Sequence, residues 1–415
     1  MQGSTLKSGA DGSRRDLNAE RPALPSPVHA AGLEFRSNGV LTLGVELELQ
    51  IIDPRTLSLT AAAEKVLEIL RSNPKVKPEL YLDMIELNTG ICGDAKSAEA
   101  DLSHTLDALV AAGRNAGVVF ASTGSHPTSR YSDCDVYPAE RYSELIDRNQ
   151  WLTRRWKVYG LHVHLGMENG DECIRFNNFF MQLLPHLLAL SSSAPFWQGR
   201  DTGLATCRPS IYEALPTAGL PYYVRSWDEF VALCEKLMKA KAIKSLKDLW
   251  WDVRPSPGFG TLEIRICDSP ASLSEVSTIV AFIHVLAYWF RDHGEWLRQV
   301  PQPPHWVMRE NKWRVIRHGL SADLVVGPEG ENRPIRRDIL SWIEKTAPYF
   351  GALGYERYLK TLCTILEQGT SSSRQRSIFA RRHSLDDVVL FNVQEFSKRT
   401  PLWHIARESL DRYCA

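Results

Sequence analysis

The sequence lacks the short motifs that mark the best-known nucleotide-binding and hydrolase sites. GxxxxGK followed by Ser or Thr does not occur, so a nucleotide would have to bind without a P-loop. No GxGxxG lies between a predicted strand and a helix, and no GxSxG is present, which argues against a dinucleotide-binding turn and a serine hydrolase. Any site is therefore expected to be assembled from residues that lie far apart in the chain.

The chain also lacks an excess of charge and closely spaced cysteines. The chain has 49 Lys and Arg residues and 49 Asp and Glu residues, so its formal net charge is zero. A balanced charge gives no support for a nucleic-acid partner. The eight cysteines contain no CxxC pair and are separated by long, irregular gaps, which disfavours a zinc site or a disulfide framework. Free thiols in a reducing cytoplasm are the simpler interpretation.

An apolar run of membrane-spanning length is absent as well. The most apolar helical stretch, 278–290, is 13 residues long and contains His284, whereas a span needs about 20 apolar residues. We predict that this stretch is a buried core helix. Because the N-terminus also lacks the apolar run of a signal peptide, we expect a cytoplasmic protein without a membrane partner. The sequence is also compatible with a homodimer.

Composition divides the chain into two parts. Residues 1–38 are rich in Gly, Ser, Ala, Pro and Arg without apolar periodicity, and we predict a disordered N-terminal tail. Residues 39–415 are predicted to form a single domain of strands and helices. Its strands have one apolar and one polar face, whereas strands of a parallel sheet are usually apolar on both. We therefore expect an α+β fold, with an antiparallel sheet that carries helices on one face and a cavity on the other.

Four of the predicted strands carry metal-type side chains on their polar faces. Side chains two residues apart on a strand point to the same face. This rule groups Glu46 with Glu48, Glu86 with Asn88, His162 with His164, and Glu263 with Thr261 and Arg265. If the strands are neighbours, these groups meet on one side of the sheet. Carboxylate oxygens suit hard cations such as Mg²⁺, and carboxylates crowded on one face would otherwise repel each other.

Two other interpretations of these polar faces stay open. Alternating polar residues are normal on the solvated face of an antiparallel sheet, although these four faces contain no Lys. A zinc site built from His162 and His164 is the more specific alternative. The accompanying residues are oxygen donors or Arg, and they favour magnesium over zinc.

Arginines supply candidate anion contacts around this predicted site. Arg254, in a Pro- and Gly-rich segment expected to form an extended turn before the last strand, and Arg265 could contact phosphate or carboxylate. Either could instead form a structural ion pair with Glu263 or Asp252. The segment 369–383 is rich in small and basic residues, a composition that indicates flexibility. It is a candidate cover for a bound nucleotide, which Arg374 would contact. A disordered surface loop is the alternative.

Read together, these segments resemble the carboxylate–amine ligases of the glutamate–cysteine ligase type 2 group. The resemblance runs in order from about residue 40 to about residue 395. It is carried by LGVELELQ (43–50), ELNTG (86–90), GSHP (124–127), GLHVHLG (160–166), ALSSSAPFWQGRDTG (189–203), LPTAGLP (215–221) and WWDVRPSPGFGTLEIRICD (250–268). It implies a fold like the catalytic domain of glutamine synthetase, with a curved antiparallel sheet and helices outside.

The resemblance also implies roles for individual residues. Metal ligands are expected at Glu46, Glu48, Glu86 and Glu263, and Glu79 matches a further acidic position. His162, Arg254 and Arg265 are expected to act on the reactants, and Arg254, Arg265 and Arg374 to contact the nucleotide. The implied reaction uses ATP and Mg²⁺ to join a small-molecule carboxylate to an amine through an acyl phosphate. A different phosphoryl-transfer enzyme, or a ligand-binding protein without catalysis, remains the alternative.

Overall fold

The computed structural model describes residues 33–407, apart from residues 72, 301 and 328. Residues 1–32, most of the predicted disordered tail, lie outside the described residues. The compact unit begins at Leu33, earlier than the predicted boundary at residue 39. The N–H of Arg36 donates to the carbonyl of Pro257 at 3.2 Å, and the hydroxyl of Ser37 donates to the carbonyl of Met167 at 2.8 Å. The segment before the first strand therefore packs on the domain.

Strands and helices alternate along the described chain. The strands are β1 (Leu43–Ile52), β2 (Val76–Pro78), β3 (Met84–Asn88), β4 (Val119–Ala121), β5 (Leu161–Gly166), β6 (Phe196–Trp197), β7 (Arg200–Asp201), β8 (Ala218–Gly219), β9 (Trp250–Trp251), β10 (Val253–Ser256), β11 (Thr261–Ile264), β12 (Asp323–Val325) and β13 (Asn332–Pro334). The helices are α1 (Ala63–Ile69), α2 (Ala95–Ala116), α3 (Glu140–Asn149), α4 (Trp151–Arg154), α5 (Gly170–Ser191), α6 (Arg208–Tyr212), α7 (Trp227–Lys239), α8 (Leu273–Asp292), α9 (Trp296–Gln299), α10 (His305–His318), α11 (Ile335–Ala352), α12 (Glu356–Gln368), α13 (Ser371–Arg382), α14 (Leu385–Lys398) and α15 (Trp403–Arg407). Short 3-10 turns lie at Leu246–Asp248 and Gly319–Ser321.

One antiparallel sheet organises the domain. Its strands follow the order β10-β11-β5-β1-β3-β2, and β4 pairs with the far end of β1. The register sets Glu46 opposite His162 on one side and Asn88 on the other, and it sets Glu48 opposite Glu86. Strands that are remote in sequence are thus neighbours, and the polar faces that the two-residue periodicity predicted meet on one side of the sheet.

The opposite face of the sheet is covered by helices. Leu43, Val45 and Leu47 point into the core with 1% of their surface exposed, and the core also contains the apolar residues of α2, α5 and α8. An Asp94 capping box begins α2, and Gly117 ends it with a left-handed backbone (φ 78°) that a side chain would disfavour. The α+β architecture with helices on the outer face is confirmed.

Helix α8 tests the prediction of a buried core helix. It is long and apolar enough to cross a membrane by length and composition alone, but 89% of its most apolar stretch is buried inside the fold. The imidazole of His284 contacts the Tyr355 hydroxyl and the Leu41 carbonyl, both at 2.9 Å. These bonds satisfy a buried polar side chain, and the prediction of a core helix is confirmed.

The expected extended turn before the last strand is instead a strand and a tight turn. β9 and β10 occupy most of this segment, and β10 pairs with β11 as a hairpin. Pro255 is tolerated because β10 is an edge strand of the sheet, where one side of the strand needs no donor. Gly260 (φ 64°) closes the turn, and a Cβ there would lie 1.9 Å from the carbonyl oxygen of Arg36.

Candidate active site

A cavity of about 380 Å³ opens over the polar face of the sheet. The acidic, histidine and arginine residues that the sequence singled out on and beside the strands line it: Glu46, Glu48, Glu86, His162, His164, Arg254, Glu263 and Arg265. Glu79, which follows β2, lines it as well. The structure therefore brings these predicted site residues into one place, while Arg374 lies elsewhere.

Three groups of side chains offer metal-ligand atoms within 4.8 Å of one another. In the described chain these groups are Glu46 with Glu86 and His162, Glu46 with His164 and Glu263, and Glu48 with Glu79 and Glu86. The first and second groups share Glu46, and the first and third groups share Glu86. The three groups therefore form one continuous acidic surface. None of these groups contains both imidazoles, which weighs against a zinc site built on the His162–His164 pair.

Burial and mutual repulsion change the protonation of three of these carboxylates. Burial, with the charge of Glu86 adding to it, raises the pKa of Glu48 to about 7, although Arg208 opposes the rise. The pKa of Glu79 also rises to about 7, through burial and the charge of Glu48. Burial and the charge of Glu46 raise the pKa of Glu86 well above its usual value. A bound cation would remove this repulsion.

His162 presents a free nitrogen to the acidic surface. Its Nδ1 lies 3.2 Å from a Glu46 oxygen, and burial lowers the pKa of the imidazole to about 4. The neutral ring therefore carries its proton on Nδ1 and donates it to Glu46. The buried Nε2 has no hydrogen-bond partner and lies 3.8 Å from a Glu48 oxygen. An unpartnered imidazole nitrogen beside a carboxylate oxygen is a suitable position for a cation.

His164 differs from His162 although both lie on β5. Burial lowers the pKa of His164, but its contact with Glu46 and the charge of Glu263 outweigh burial, and the net pKa is raised. Nδ1 contacts the Thr261 hydroxyl at 2.8 Å, and Nε2 lies 3.4 Å from Glu46. Both nitrogens of His164 are therefore engaged, and the raised pKa favours the protonated ring beside Glu46.

The two predicted arginines share one carboxylate. Nε of Arg254 donates to Glu263 at 2.8 Å, and the guanidinium of Arg265 donates to the other oxygen of Glu263. Arg254 also donates to the Leu246 and Leu249 carbonyls. Burial raises the pKa of Glu263, but the two arginines outweigh it and hold the net pKa far below its usual value. The ion pair with Glu263 that the sequence left open is present, whereas Asp252 pairs with Lys312 instead.

The structure does not support the predicted nucleotide contact at Arg374. The segment that looked like a flexible cover or a disordered loop contains helix α13, and Arg374 is 2% exposed on its inner face. Nε of Arg374 donates to Glu395 at 2.7 Å, and an Nη2 proton goes to Glu275 at 2.9 Å. Arg374 does not line the cavity. It neutralises two buried carboxylates and so joins three helices.

Sequence reasoning did not single out several cationic and aromatic residues of the cavity wall. They include Lys77, Arg141, Tyr142, Trp156, Arg208, Tyr212, Lys247 and Trp250. Lys77 donates to Asn88 at 3.0 Å, and Asn88 donates to Glu86 at 2.7 Å, which orients that carboxylate. Most of these side chains lie on loops or on short helices and strands, which are too short for a periodic pattern to stand out in the sequence. The RPSIY sequence of α6 was the available signal for Arg208 and Tyr212, which a helical spacing of four places on one side.

The carboxylates of the acidic surface, together with His162, fit magnesium. Hard carboxylate oxygens dominate the cluster, and a buried imidazole nitrogen lacks a partner among the described residues. Burial and mutual repulsion raise the pKa values of the acids, and a bound cation would oppose the protonation that they favour. Glu46, Glu48, Glu79 and Glu86 with His162 would hold the ion or ions. Glu263 is already neutralised by two guanidinium groups, and this makes it the weakest ligand of the predicted set.

Two solved structures share the fold of this chain. A glutamate–cysteine ligase of Francisella tularensis, solved with AMP, aligns with a TM-score of 0.63 at 14% identity and covers 91% of this chain and 93% of that one. A bifunctional glutathione synthetase of Pasteurella multocida aligns with a TM-score of 0.61 at 14% identity, over 89% of this chain and 53% of that one. The chain thus spans about half the length of the bifunctional protein. The predicted glutamine synthetase-like α+β fold is confirmed.

Sequence comparison identifies the family. A relative in Bdellovibrio bacteriovorus is 40% identical over 366 residues, which are 88% of this chain and 96% of that protein. A relative in Gloeobacter violaceus is 40% identical over 364 residues, covering 86% and 97%. Both carry the provisional name glutamate–cysteine ligase 2. The model of glutamate–cysteine ligase family 2 matches residues 42–390. The chain therefore belongs to glutamate–cysteine ligase family 2 and is an enzyme of the carbon–nitrogen ligase class.

Proposed function

We propose that this enzyme uses ATP and Mg²⁺ to join a carboxylate to an amine through an acyl phosphate. The observation that carries the proposal is the cavity itself, where five glutamates and a free imidazole nitrogen face three buried or half-buried arginines. Such a surface suits a polyanion that arrives with its cations. The relatives' names make glutamate and cysteine the first substrates to test.

The chemistry explains why a site of this composition is needed. A carboxylate lacks a leaving group and does not react with an amine at neutral pH. Bound Mg-ATP would supply the phosphoryl group that converts the carboxylate into an acyl phosphate. The carboxylate and the triphosphate are both anionic, so catalysis depends on positioning and on electrostatic screening.

The chain's own residues divide this work between two sides of the cavity. On β1 and β3, Glu46, Glu48 and Glu86 would hold the cations. On the β10–β11 hairpin, Arg254 and Arg265 present guanidinium groups whose orientation Glu263 fixes. Planar guanidinium groups suit the oxygens of a carboxylate or of phosphate. The reactants would therefore lie between an acidic surface that binds metal and a basic hairpin.

The incoming amine must lose a proton when the amide bond forms. His162 is neutral, because burial lowers its pKa to about 4, and its Nε2 lies 3.8 Å from a Glu48 oxygen. Nε2 can either bind a cation or accept a proton, and this position, within the cluster of carboxylates, favours the cation. We assign proton acceptance to an oxygen of the reactants.

We place the reaction in the cytoplasm and expect small-molecule substrates. All seven cysteines of the described chain are free thiols, which agrees with a reducing compartment. A cavity of about 380 Å³ lies within the range for small ligands.

The proposal is tested by screening pairs of carboxylates and amines, glutamate with cysteine among them, for ADP release and for the mass of the product. The proposed function predicts ADP release that requires both substrates and Mg²⁺, with an equal amount of amide. A phosphorylated product without amide would identify another phosphoryl-transfer enzyme. No turnover with any pair would favour a ligand-binding protein without catalysis.

A further inference from the structure

A second cavity, of about 340 Å³, lies among the helices of the domain. It is lined by Ser192 after α5, by the 3-10 turn after α10, by the first turn of α11 and by the connection between α12 and α13. None of its lining residues belongs to the active-site cavity. The proposed reaction therefore gives this second cavity no role.

Arg336, in the first turn of α11, brings an unpaired positive charge to the second cavity. The residue is half-buried, and its side chain forms no ion pair or hydrogen bond within the part of the chain that the structure describes. Arg333, three residues earlier, pairs with Asp338 instead. The exposed Glu367 also lines the cavity, but it forms no ion pair with Arg336. The five N–H donors of the Arg336 guanidinium are thus available to a ligand.

Arg376, on α13, supplies a second guanidinium whose position is fixed. Its Nη2 donates to one carboxylate oxygen of Asp201 at 2.6 Å and to the Leu204 carbonyl at 2.8 Å. Its Nε donates to the other oxygen of Asp201 at 3.2 Å. Asp201 does not line the second cavity. Arg376 is therefore held by a carboxylate outside the lining, while its guanidinium lies at the cavity wall.

Hydroxyl groups at the beginning of α13 complete the polar lining. The Thr370 hydroxyl contacts the Ser192 hydroxyl at 3.0 Å and does not cap the helix. The Ser373 hydroxyl donates to the Thr370 carbonyl at 2.7 Å, so its lone pairs stay available. Ser372 is only 4% exposed and lines the cavity, yet its hydroxyl has no hydrogen-bond partner among the described residues. Buried hydroxyl groups normally have such a partner, so this one is available to a ligand in the cavity.

The helix ends around the second cavity do not determine which charge it prefers. Helices α11 and α13 begin there, and the positive ends of their dipoles favour an anion. Helices α10 and α12 end there, and their dipoles have the opposite effect. Because these contributions oppose each other, the two arginines make the cavity a site for an anion.

We propose that the second cavity binds a phosphate group, with Arg336 as the charged contact and Ser372 as a hydrogen-bond partner. A phosphate group has several oxygens and more than one negative charge, which suits guanidinium and hydroxyl donors that surround it. The group comes either from inorganic phosphate or from a small phosphorylated molecule, for which a cavity of about 340 Å³ has room. This inference does not depend on the proposed function.

The test measures binding of inorganic phosphate and of glucose 6-phosphate by isothermal titration calorimetry, without Mg²⁺ or nucleotide. Sodium acetate at the same ionic strength is the control for general anion effects. Hydrogen exchange with mass spectrometry then locates the site. Both phosphate compounds should protect peptides that contain residues 316–321 and 369–376, whereas acetate should not. Tighter binding of glucose 6-phosphate identifies a phosphorylated molecule as the source, and equal or weaker binding identifies inorganic phosphate.

Three variants test the contacts. Arg336→Gln should raise the Kd for phosphate about 10-fold or more, the effect of losing hydrogen bonds from a charged group. Ser372→Ala should raise it about 2- to 10-fold, as expected for a neutral hydrogen bond. Arg337→Gln is the matched control, because it removes the same charge from the next residue of α11, which is exposed and does not line the cavity. Its Kd should equal that of the wild type.

The inference is overturned if phosphate does not bind, if acetate binds equally well, or if Arg336→Gln and Arg337→Gln weaken binding to the same extent. Protection confined to peptides of β5 and β11 would place phosphate in the active-site cavity and would also overturn it. Arg336→Gln should keep the ligand-free melting temperature of the wild type, since Arg336 has no partner in the fold. If it does not fold, Arg336→Lys, which keeps the charge but loses the planar fork, should still bind phosphate more weakly than the wild type. None of these measurements uses turnover, so failure of the proposed function would leave their outcome unchanged.

Discussion

Nδ1 of His162 lies 3.2 Å from a carboxylate oxygen of Glu46, and this contact determines which nitrogen of the imidazole is free. Because Nδ1 donates its proton to Glu46, Nε2 keeps its lone pair, and it lies 3.8 Å from an oxygen of Glu48. The geometry links the two glutamates of β1 to the histidine of β5 through one side chain. This geometry creates a position for a cation on the polar face of the sheet.

The first prediction concerns these two glutamates. Glu46→Gln and Glu48→Gln should each lower turnover about 10²-fold or more, because a cation that screens phosphoryl transfer contributes several kcal/mol to the transition state. The fold should persist, since Gln matches Glu in shape. ADP release and melting temperature are measured on the same preparations at saturating Mg²⁺. Glu64→Gln, an exposed change on α1, is the control. Near-wild-type ADP release from both β1 variants would remove the metal assignment.

The second prediction concerns stability. Mg-ATP binds the folded state preferentially, so it should raise the melting temperature. At a ligand concentration of 100 Kd, the free energy of unfolding should rise by about 2.7 kcal/mol. Mg²⁺ alone should give part of this effect, because a cation relieves the repulsion that raises the pKa values of Glu48 and Glu79. Differential scanning fluorimetry measures both shifts. A melting temperature unmoved by saturating Mg-ATP argues against a nucleotide site.

The third prediction separates two roles of Arg265. If Arg265 contacts charge that develops during phosphoryl transfer, Arg265→Lys should lower turnover by about 10²–10³, the effect of losing one well-placed electrostatic contact. Lysine keeps the charge but loses the planar fork that also reaches Glu263. Turnover per folded molecule and melting temperature are measured together. A clear loss of stability with only a few-fold loss of turnover would make Arg265 a structural partner of Glu263.

The fourth prediction follows from the corrected role of Arg374. Arg374→Met should destabilise the fold by about 3–5 kcal/mol, because it leaves Glu275 and Glu395 buried without a counter-charge. Turnover per folded molecule should stay near the wild-type value, since the side chain lies outside the cavity. Thermal unfolding and titrated active-enzyme assays provide the two readings. A specific rise in KM for ATP with unchanged stability would restore a nucleotide contact at Arg374.

The sequence was informative where local periodicity determines structure. Alternation along β1 separated Leu43, Val45 and Leu47 from Glu46 and Glu48, because side chains of a strand point to opposite faces. It could not supply the register that sets Glu48 opposite Glu86, since that pairing joins strands separated by a loop and a helix. The resemblance to a known family supplied the neighbours that periodicity alone left open.

Local composition failed where long-range contacts decide the outcome. The residues around Arg374 are small, polar and basic, which is typical of a loop, but Glu275 lies 99 residues away and provides the buried partner that fixes helix α13. Arg208 was missed for the opposite reason. It lies on a single short helix, and its place in the cavity depends on the absent side chain of Gly160.

The most direct test of the proposed chemistry follows the oxygen of the carboxylate substrate. The carboxylate is labelled with ¹⁸O and incubated with enzyme, Mg-ATP and amine, and the released phosphate is analysed by mass spectrometry. An acyl phosphate predicts that one labelled oxygen moves from the carboxylate to phosphate for each amide formed. Amide formation without transfer of label to phosphate would contradict the account.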